Sequence, residues 1–572
     1  MNELSLSGRN WVLKKFSEED LNFIKNNFYL DEITSKLLSI RKINKEEISS
    51  FLNPSIKNLL PNPNSLVDME KTTKRAVSAI LNKEKIAIFG DYDVDGASST
   101  ALLGNYFDKL NLDYEIYIPD RKTEGYGPTI KSFNELIKKK VKLIFTVDCG
   151  TLSYDAIDYA KKNNVDVIVL DHHQSEVSLP KAYSIVNPNR LDDNSNLKYL
   201  CAAGVSFMFL VSLNRILRNI NWFLEQNLDE PNLIDFLDLV SLGTVCDVVP
   251  LVGLNRAIVK QGLKIINSKK NLGLKTLLDI CKIETRPSTY HLGYLIGPRI
   301  NAGGRVGKCS HGANLLLNKD PKNSFQLASE LDHFNKERQL LEKDLLKQIL
   351  KQIEFSHKDP VIVLSGKKWH EGVIGIIAAR LKDKFHKPVI IISIEGKTGK
   401  ASARSIFGFD IGSIIIAAVQ KKILLKGGGH KMAGGFSIKT ENIDKFKDFV
   451  FKKFSKINEN FIGKKPLMLD SVISPSAVNI EFYNKVNLLS PFGSGNPEPK
   501  FIIENLKTIN GKIVGEKHVK SVLIGEDGST IKSIAFNAVE NGLEAYLLKK
   551  NNKIFNIAGK LSLNEWKGQS NV

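Results

Sequence analysis

Short apolar runs, each followed at once by aspartate, set the rhythm of the chain between residues 69 and 200. KIAIFG (85–90), LIFTV (143–147) and VDVIVL (165–170) alternate with segments of helical spacing, the pattern of a parallel sheet covered by helices. A helix is predicted over 97–110, after the first run. Residues 1–68 read as short helices that stop at Asn53-Pro54 and at Pro61-Asn62-Pro63-Asn64, because proline cannot continue a helix.

Residues 200–355 read as mainly helical. Leu327, Leu331, Phe334, Leu341, Leu345 and Ile349 recur at helical spacing in a charged segment after Asp320-Pro321, which predicts one long helix over 321–355. A second α/β alternation begins at VIVLS (361–365), passes through a helix at about 372–384, and continues with VIIIS (389–393) and the glycine-rich GGGHKMAGGF (427–436). After the loop Pro491-Phe492-Gly493-Ser494-Gly495-Asn496-Pro497, short apolar runs separated by glycine and lysine turns predict a small β-barrel. Its last run, 554–559, lies close to Val572 and leaves room for at most a short closing strand. The expected fold class is multidomain α/β, with units at 1–68, 69–320, 321–355, 356–460 and 461–572.

Composition narrows the partners. At 572 residues the chain exceeds one hydrophobic core, and 42% hydrophobic with 25% charged residues is a globular balance. Lysine and arginine number 81 against 62 acids, a formal charge of +19 that favours a polyanion, nucleic acid first. Lysine is plentiful throughout, so charge supports that reading without carrying it. The opening MNELSLSGRN lacks a basic segment leading into an apolar one, and no run approaches the roughly 18 apolar residues of a membrane span. A soluble, cytoplasmic protein with no membrane partner is expected. Cys149, Cys201, Cys246, Cys281 and Cys309 are odd in number and contain no C-x-x-C pair, which argues against a disulfide framework or a zinc knuckle.

The chemistry lies at the strand ends. In open parallel sheets ligands sit outside the carboxyl ends of the strands, so Asp91, Asp148 and Asp171 can converge on one crevice. One such aspartate alone would be a turn residue or a helix cap. Asp91-Tyr92-Asp93-Val94-Asp95-Gly96 packs three carboxylates into five positions, which repel unless protons or cations intervene. A calcium loop is the alternative, but its twelfth position should be a bidentate Glu and is Leu102 here. Asp171-His172-His173 adds two imidazoles. A mixed Asp/His set suits manganese, with magnesium or another transition metal also compatible. One histidine can ligate metal while its neighbour donates to phosphate.

Asp91–Gly96, Asp148-Cys149-Gly150 and Asp171-His172-His173 resemble successive motifs of the DHH phosphoesterase superfamily. Gly243-Thr244-Val245-Cys246-Asp247-Val248-Val249-Pro250 resembles the next one, and the likeness continues through 298–305, 369–375, 402–405 and 428–435. The resemblance implies a parallel-sheet DHH domain, a long helix, a DHHA1 domain and a C-terminal OB-like barrel. Asp93, Asp95, Asp148, His173 and Asp247 are then the expected ligands of two divalent cations, with Asp148 bridging, while Asp91, Asp171 and His172 belong to the catalytic cluster without an assigned role. Arg121, Arg305, Ser402, Arg404 and His430 are expected to contact phosphate, helped by an amide nest in the glycine-rich 427–435 segment. The activity implied is 5′-to-3′ exonucleolytic hydrolysis of single-stranded DNA to 5′-mononucleotides in DNA repair and recombination. It would be performed by a monomer working beside single-stranded-DNA-binding protein and a helicase. Barrel aromatics Phe492, Phe501, Phe536 and Tyr546 are candidates for base stacking, though most should pack the core. Two rival readings remain: a DHH enzyme for very short oligonucleotides or cyclic dinucleotides, which needs fewer domains, and an inactive nucleic-acid-binding scaffold, which the intact acids oppose.

Overall fold

The computed structural model describes residues 4–356, 359–455, 466–548, 553–566 and 569–572. The expected boundary at 460/461 lies outside the described residues. The chain opens with a short strand, β1 (Trp11–Leu13), followed by helices Glu18–Phe28 and Glu32–Arg41. The wholly helical reading of 1–68 therefore misses β1, whose three residues show no period and whose partner lies at the far end of the sequence.

The three apolar runs become β2 (Ile86–Gly90), β4 (Leu143–Val147) and β5 (Asp166–Leu170), joined by β3 (Tyr114–Tyr117) and β6 (Ser184–Val186) in a parallel sheet of order β3-β2-β4-β5-β6. Both faces are covered, which is why the runs are continuously apolar. Ile88, Phe145 and Ile168 join a large cluster with the helices Val94–Lys109, Ala202–Asn219 and Leu237–Cys246. Phe89, Ile144 and Val169 pack on the opposite face with Phe133 and Ile157.

The helix Pro321–Ser356 runs close to the predicted 321–355. It joins two cores: Ala328 and Leu331 pack into the parallel-sheet domain, whereas Leu345, Ile349 and Ile353 pack against the next one. That second sheet contains β7 (Ile362–Lys367), β8 (Val389–Glu395), β9 (Thr398–Arg404), β10 (Lys426–His430) and β11 (Ala433–Lys439), in the order β10-β11-β9-β8-β7. Helix Glu371–Phe385 covers the face that carries Val389 and Ile391. The glycine-rich segment is a β-hairpin rather than the expected amide nest, with Gly427↔Phe436, Gly428↔Gly435 and Gly429↔Gly434 paired across it.

β12 (Leu467–Leu469) pairs in parallel with β1. The C-terminal sheet follows as β13 (Ser471–Ile473), β14 (Phe501–Val514), β15 (His518–Ile524), β16 (Thr530–Ala535) and β17 (Phe555–Gly559), with β17 returning to β14. β17 matches the last predicted run. Ile24, Leu37, Leu38, Ile48 and Phe51 share one core with Phe501, Leu506, Val519 and Leu523, so the N-terminal helices and the C-terminal barrel pack as one unit. No helix among the described residues is long and apolar enough to cross a membrane.

Candidate metal centre and phosphate-facing cleft

Strand register builds the site. Gly90 pairs with Val147, Val147 with Leu170, and Leu170 with Val186. The next residues, Asp91, Asp148, Asp171 and Asn187, therefore leave four neighbouring strands at one level, with a spacing of about 4.8 Å per strand. After β2 the chain passes to β3 on one side and later to β4 on the other, so the row includes the sheet's topological switch point, where a crevice opens.

The backbone then aims the side chains. Asp93 caps helix Val94–Lys109, its Oδ1 accepting from the amides of Asp95 (2.9 Å) and Gly96 (3.1 Å). Asp95 is buried, and its two oxygens accept from Ala202 N (2.6 Å) and Ala203 N (3.0 Å) at the start of helix Ala202–Asn219. Gly243 is required beside it, since a Cβ there would lie 2.5 Å from Asp95 Oδ1. Asp148 adopts a left-handed backbone (φ +62°), and Gly150 follows at φ +112° with Thr146 Oγ1 2.5 Å from where a Cβ would be. The Asp-Cys-Gly triplet is thus a conformational requirement as well as a chemical one.

His172 stands amid three carboxylates: its Nε2 lies 3.4 Å from Asp148 Oδ1, 3.6 Å from Asp247 Oδ2 and 3.7 Å from Asp95 Oδ2. These gaps are long for hydrogen bonds. Two ligands each about 2.1 Å from one ion stand roughly 3.0–3.4 Å apart, so the spacing is closer to that of donors sharing a cation. Three sets of possible ligand atoms lie within 4.8 Å: Asp148, His172 and His173; Asp95, His172 and Asp247; Asp91, Asp93 and Asp148. Asp148 and His172 each belong to two sets, so the cluster has the form of adjoining cation seats. Two buried oxygens, Asp91 Oδ1 and Asp148 Oδ1, have no hydrogen-bond partner among the described residues. A fully used hydrogen-bond network would not leave them so.

Asp171 is in none of the sets. Its Oδ1 accepts from His172 N (2.7 Å), His173 N (3.2 Å) and His173 Nδ1 (2.7 Å), and its Oδ2 from Thr151 N (3.1 Å) and Oγ1 (2.6 Å). It orients His173 by accepting from Nδ1, so Nε2 is the nitrogen left for a cation that displaces its proton. Four further supports carry no signal in the sequence. Asn187 holds the carbonyl of His173 (2.8 Å), Asn189 that of His172 (2.5 Å), Thr151 holds Asp171, and Tyr126 Oη donates to the carbonyl of Asp148 (2.9 Å). Asn187 follows β6, a three-residue strand too short to signal itself.

Electrostatics match this division. Burial, then the charges of Asp93, Asp95, Asp91 and Asp171, pushes Asp148 well above the carboxylate range. Burial and Asp93 do the same to Asp91, and burial with Asp95 and Asp93 raises Asp247 to about 8. Burial also opposes ionisation of Asp171, but the His173 hydrogen bond and charge outweigh it and hold Asp171 below its usual value. Desolvation works against protonation of His173, yet Asp171 raises it to about 9. Asp91, Asp148 and Asp247 are thus biased towards the protonated form, a bias a cation would reverse, whereas the supporting carboxylate Asp171 is biased towards ionisation.

A cationic cleft adjoins this centre. The Arg121 guanidinium lies 5.4 Å over the ring of Tyr92, between Asp91 and Asp93. Arg305, on helix Gly297–Val306, donates from Nη1 to Gly372 O (3.0 Å) across the domain boundary. Burial, then the nearby charges of Arg121, Arg338 and Arg404 acting against Glu342, lowers the Arg305 pKa to about 10. Arg404 Nη1 donates to Ser402 Oγ at 3.1 Å. His430, Ala433 and Arg404 form one cross-strand row, so His430 and Arg404 share a face of the sheet. The five expected phosphate contacts therefore divide between the two α/β domains and face a common region. Of the barrel aromatics, Phe501 is buried, Phe492 packs against the shared core, Tyr546 is half-buried and Phe536 is exposed.

Similarity to known proteins agrees with this architecture. Residues 85–244 match the DHH family N-terminal domain, 358–456 the DHHA1 domain and 469–572 the RecJ OB domain. The chain is 34% identical to the single-stranded-DNA-specific exonuclease RecJ of Escherichia coli, over 91% of each protein. It is 30% identical to the Bacillus subtilis protein of the same name, over 97% of this chain and 69% of that one. The crystal structure of RecJ in complex with Mn2+ from Thermus thermophilus aligns with a TM-score of 0.80 at 26% identity, covering 98% of this chain and 78% of that one. A crystal structure of exonuclease RecJ bound to manganese aligns at 32% identity and a TM-score of 0.59, over 70% of this chain and 96% of that one. With its three matched domains in the same order and relatives that align along nearly its whole length, the chain belongs to the RecJ family of single-stranded-DNA-specific exonucleases.

Proposed function

We propose that this chain is a divalent-cation-dependent exonuclease that removes nucleotides from single-stranded DNA in the 5′-to-3′ direction, releasing 5′-mononucleotides in DNA repair and recombination. The observation that carries the reading is the in-register row of Asp91, Asp148 and Asp171 at the switch point, with two orphaned buried carboxylate oxygens and His172 among the acids. Asp93, Asp95, Asp148, His173 and Asp247 would hold the cations, His172 joins them on geometry, and Asp171 orients His173. Two such cations, manganese or magnesium, would supply Lewis-acid activation of water and neutralise charge developing on the leaving oxygen. Asp148, which belongs to two of the possible ligand sets and whose carbonyl accepts from Tyr126 Oη, would serve both seats.

The arginines bind and orient the substrate. Arg121, Arg305, Ser402, Arg404 and His430 would grip phosphates between domain 69–320 and domain 356–460, with the terminal 5′ phosphate at Arg121, Ser402 and Arg404. The expected working state is a cytoplasmic monomer on strands presented by single-stranded-DNA-binding protein and opened by a helicase.

The decisive assay compares labelled single-stranded DNA, duplex DNA and RNA with manganese, magnesium or chelator. Mononucleotide release from single-stranded DNA alone, abolished by chelator, is expected; activity that survives chelator, or a preference for duplex, would end the proposal. A second result is expected at the terminal pocket. Arg404→Ala should reduce the preference for 5′-phosphate over 5′-hydroxyl ends about tenfold, the size of one lost charge-assisted hydrogen bond. Unchanged discrimination would remove Arg404 from the pocket.

A further inference from the structure

Tyr290 and Tyr294 form a stacked pair on the surface, with centroids 5.2 Å apart and planes 25° apart. Both rings are open to solvent, at 59% and 71% exposure. Among the described residues neither hydroxyl has a hydrogen-bond partner, so no polar contact explains their being tyrosines. Two large aromatic rings facing water lose apolar burial unless a flat partner covers them.

Their position suggests that partner. Tyr294 lies within the π-helical turn His291–Ile296, which leads directly into helix Gly297–Val306. π-Helical turns gather at functional sites. This turn packs on the residues just before Asp247: Cys246 Sγ donates to Leu292 O (3.4 Å), and a Cβ on Gly293 would lie 3.7 Å from Val245 Cγ1. Arg305 follows Tyr294 by eleven positions, about 16 Å along a helix. The tyrosines and the arginine cleft therefore lie towards opposite ends of one helical stretch, with the metal centre alongside it. On the other side, Thr289 Oγ1 donates to Phe492 O (2.7 Å), which ties the tyrosine turn to the loop leading into the barrel.

We infer that Tyr290 and Tyr294 are a base-stacking platform for the single strand between the metal centre and the barrel, gripping bases on the 3′ side of the scissile phosphate. The inference rests on the nuclease reading and extends it. Phosphates are gripped at the arginine end, and the tyrosines meet the unpaired bases that follow. Stacking is indifferent to base identity because every base offers a π face, so the platform adds affinity without sequence preference. It also favours strands whose bases are free of a partner.

The test uses the full chain with manganese and a 5′-phosphorylated phosphorothioate oligonucleotide of about twenty nucleotides, carrying 2-aminopurine at successive positions. In the wild type, fluorescence quenching should peak at one or two positions near the 5′ end. Tyr290→Ala with Tyr294→Ala should abolish that peak and weaken binding about tenfold or more, the effect of losing at least one stacked base. Tyr290→Phe with Tyr294→Phe should retain the peak and bind within about twofold of wild type. Wild-type affinity in the alanine variant, or a loss in the phenylalanine variant equal to that with alanine, overturns the platform. A wild-type chain that does not prefer the single strand to a duplex overturns the nuclease reading, and the platform with it.

Discussion

Asp148→Asn is expected to abolish manganese-dependent hydrolysis while raising the melting temperature of the metal-free chain. Asp148 is 1% exposed, and four other aspartates act on it. Burial and those charges make its ionised form unfavourable, so without a cation the folded state carries a repulsion that asparagine relieves. Each 1 kcal/mol relieved raises the melting point by roughly 2–4 °C in a domain of this size. Asparagine is the informative choice because it tolerates φ +62°, whereas alanine would add backbone strain of about 1–2 kcal/mol. Activity should fall at least roughly 10²–10³-fold, the scale of losing a principal electrostatic contact in a reacting centre.

The same residue sets a pH dependence. Asp148, Asp91 and Asp247 have folded pKa values above their unfolded ones, Asp247 at about 8. Between about pH 4 and 8 the metal-free fold therefore binds more protons than the unfolded chain, and stability falls as pH rises through that window. Asp171 acts in the opposite sense, its contribution being present above the unfolded carboxylate value and lost in acid. Manganese should raise the melting point more at pH 8 than at pH 6, with a smaller difference in the Asp148→Asn variant. Calorimetry across that range checks the stability statements and a nuclease assay the activity; an asparagine variant that melts at or below wild type without metal, or cleaves DNA within about 100-fold of the wild-type rate, contradicts them.

What the sequence made legible follows from how each element is stabilised. β2, β4 and β5 are buried on both faces, so their residues had to be apolar throughout, and the acids closing them stood out. The row of Asp91, Asp148 and Asp171 could be anticipated because register in a parallel sheet aligns strand ends. Asp247 could not, since it follows helix Leu237–Cys246 and reads as an ordinary helix end; only the resemblance flagged it. Which of His172 and His173 stands among Asp95, Asp148 and Asp247 also escaped the sequence, because it depends on backbone turns that Asn187 and Asn189 hold. Asparagine, threonine and tyrosine in loops have too many common uses to stand out. The joint core of residues near 24–51 and 473–561 was invisible for a different reason: each half has an acceptable local pattern, and nothing local records that the halves meet.

Arg256→Met should separate that joint unit from the catalytic domain. Arg256 lies on helix Gly253–Asn267 and is 1% exposed, with no acidic partner among the described residues. Its guanidinium donates to four carbonyls: Phe51 (2.7 Å), Pro491 (3.2 Å), and Leu489 and Ser490 (both 2.7 Å). It also lies 3.8 Å over the Phe51 ring. Burial lowers its pKa to about 9, with Arg41 adding repulsion, so it remains charged at neutral pH. One planar cation thus binds the N-terminal segment and the 489–491 loop to the catalytic domain. Methionine fills similar volume but removes that donor; Leu489 O and Pro491 O still accept from Asn496 Nδ2 (2.8 and 2.9 Å), whereas Phe51 O and Ser490 O are left unpaired among the described residues, at about 1–3 kcal/mol for each one that water cannot reach. Removing a buried, acid-free charge offsets part of this, so the net loss should be roughly 1–4 kcal/mol. Because that loss falls on the joint between units, calorimetry should resolve two transitions where wild type is expected to show one coupled transition, and proteolysis should reach the 489–497 loop. Arg256→Lys, with three donors at one point, should fall between. If the methionine variant keeps a single unshifted transition, the contacts that join these units lie elsewhere, and the four carbonyls are satisfied without Arg256.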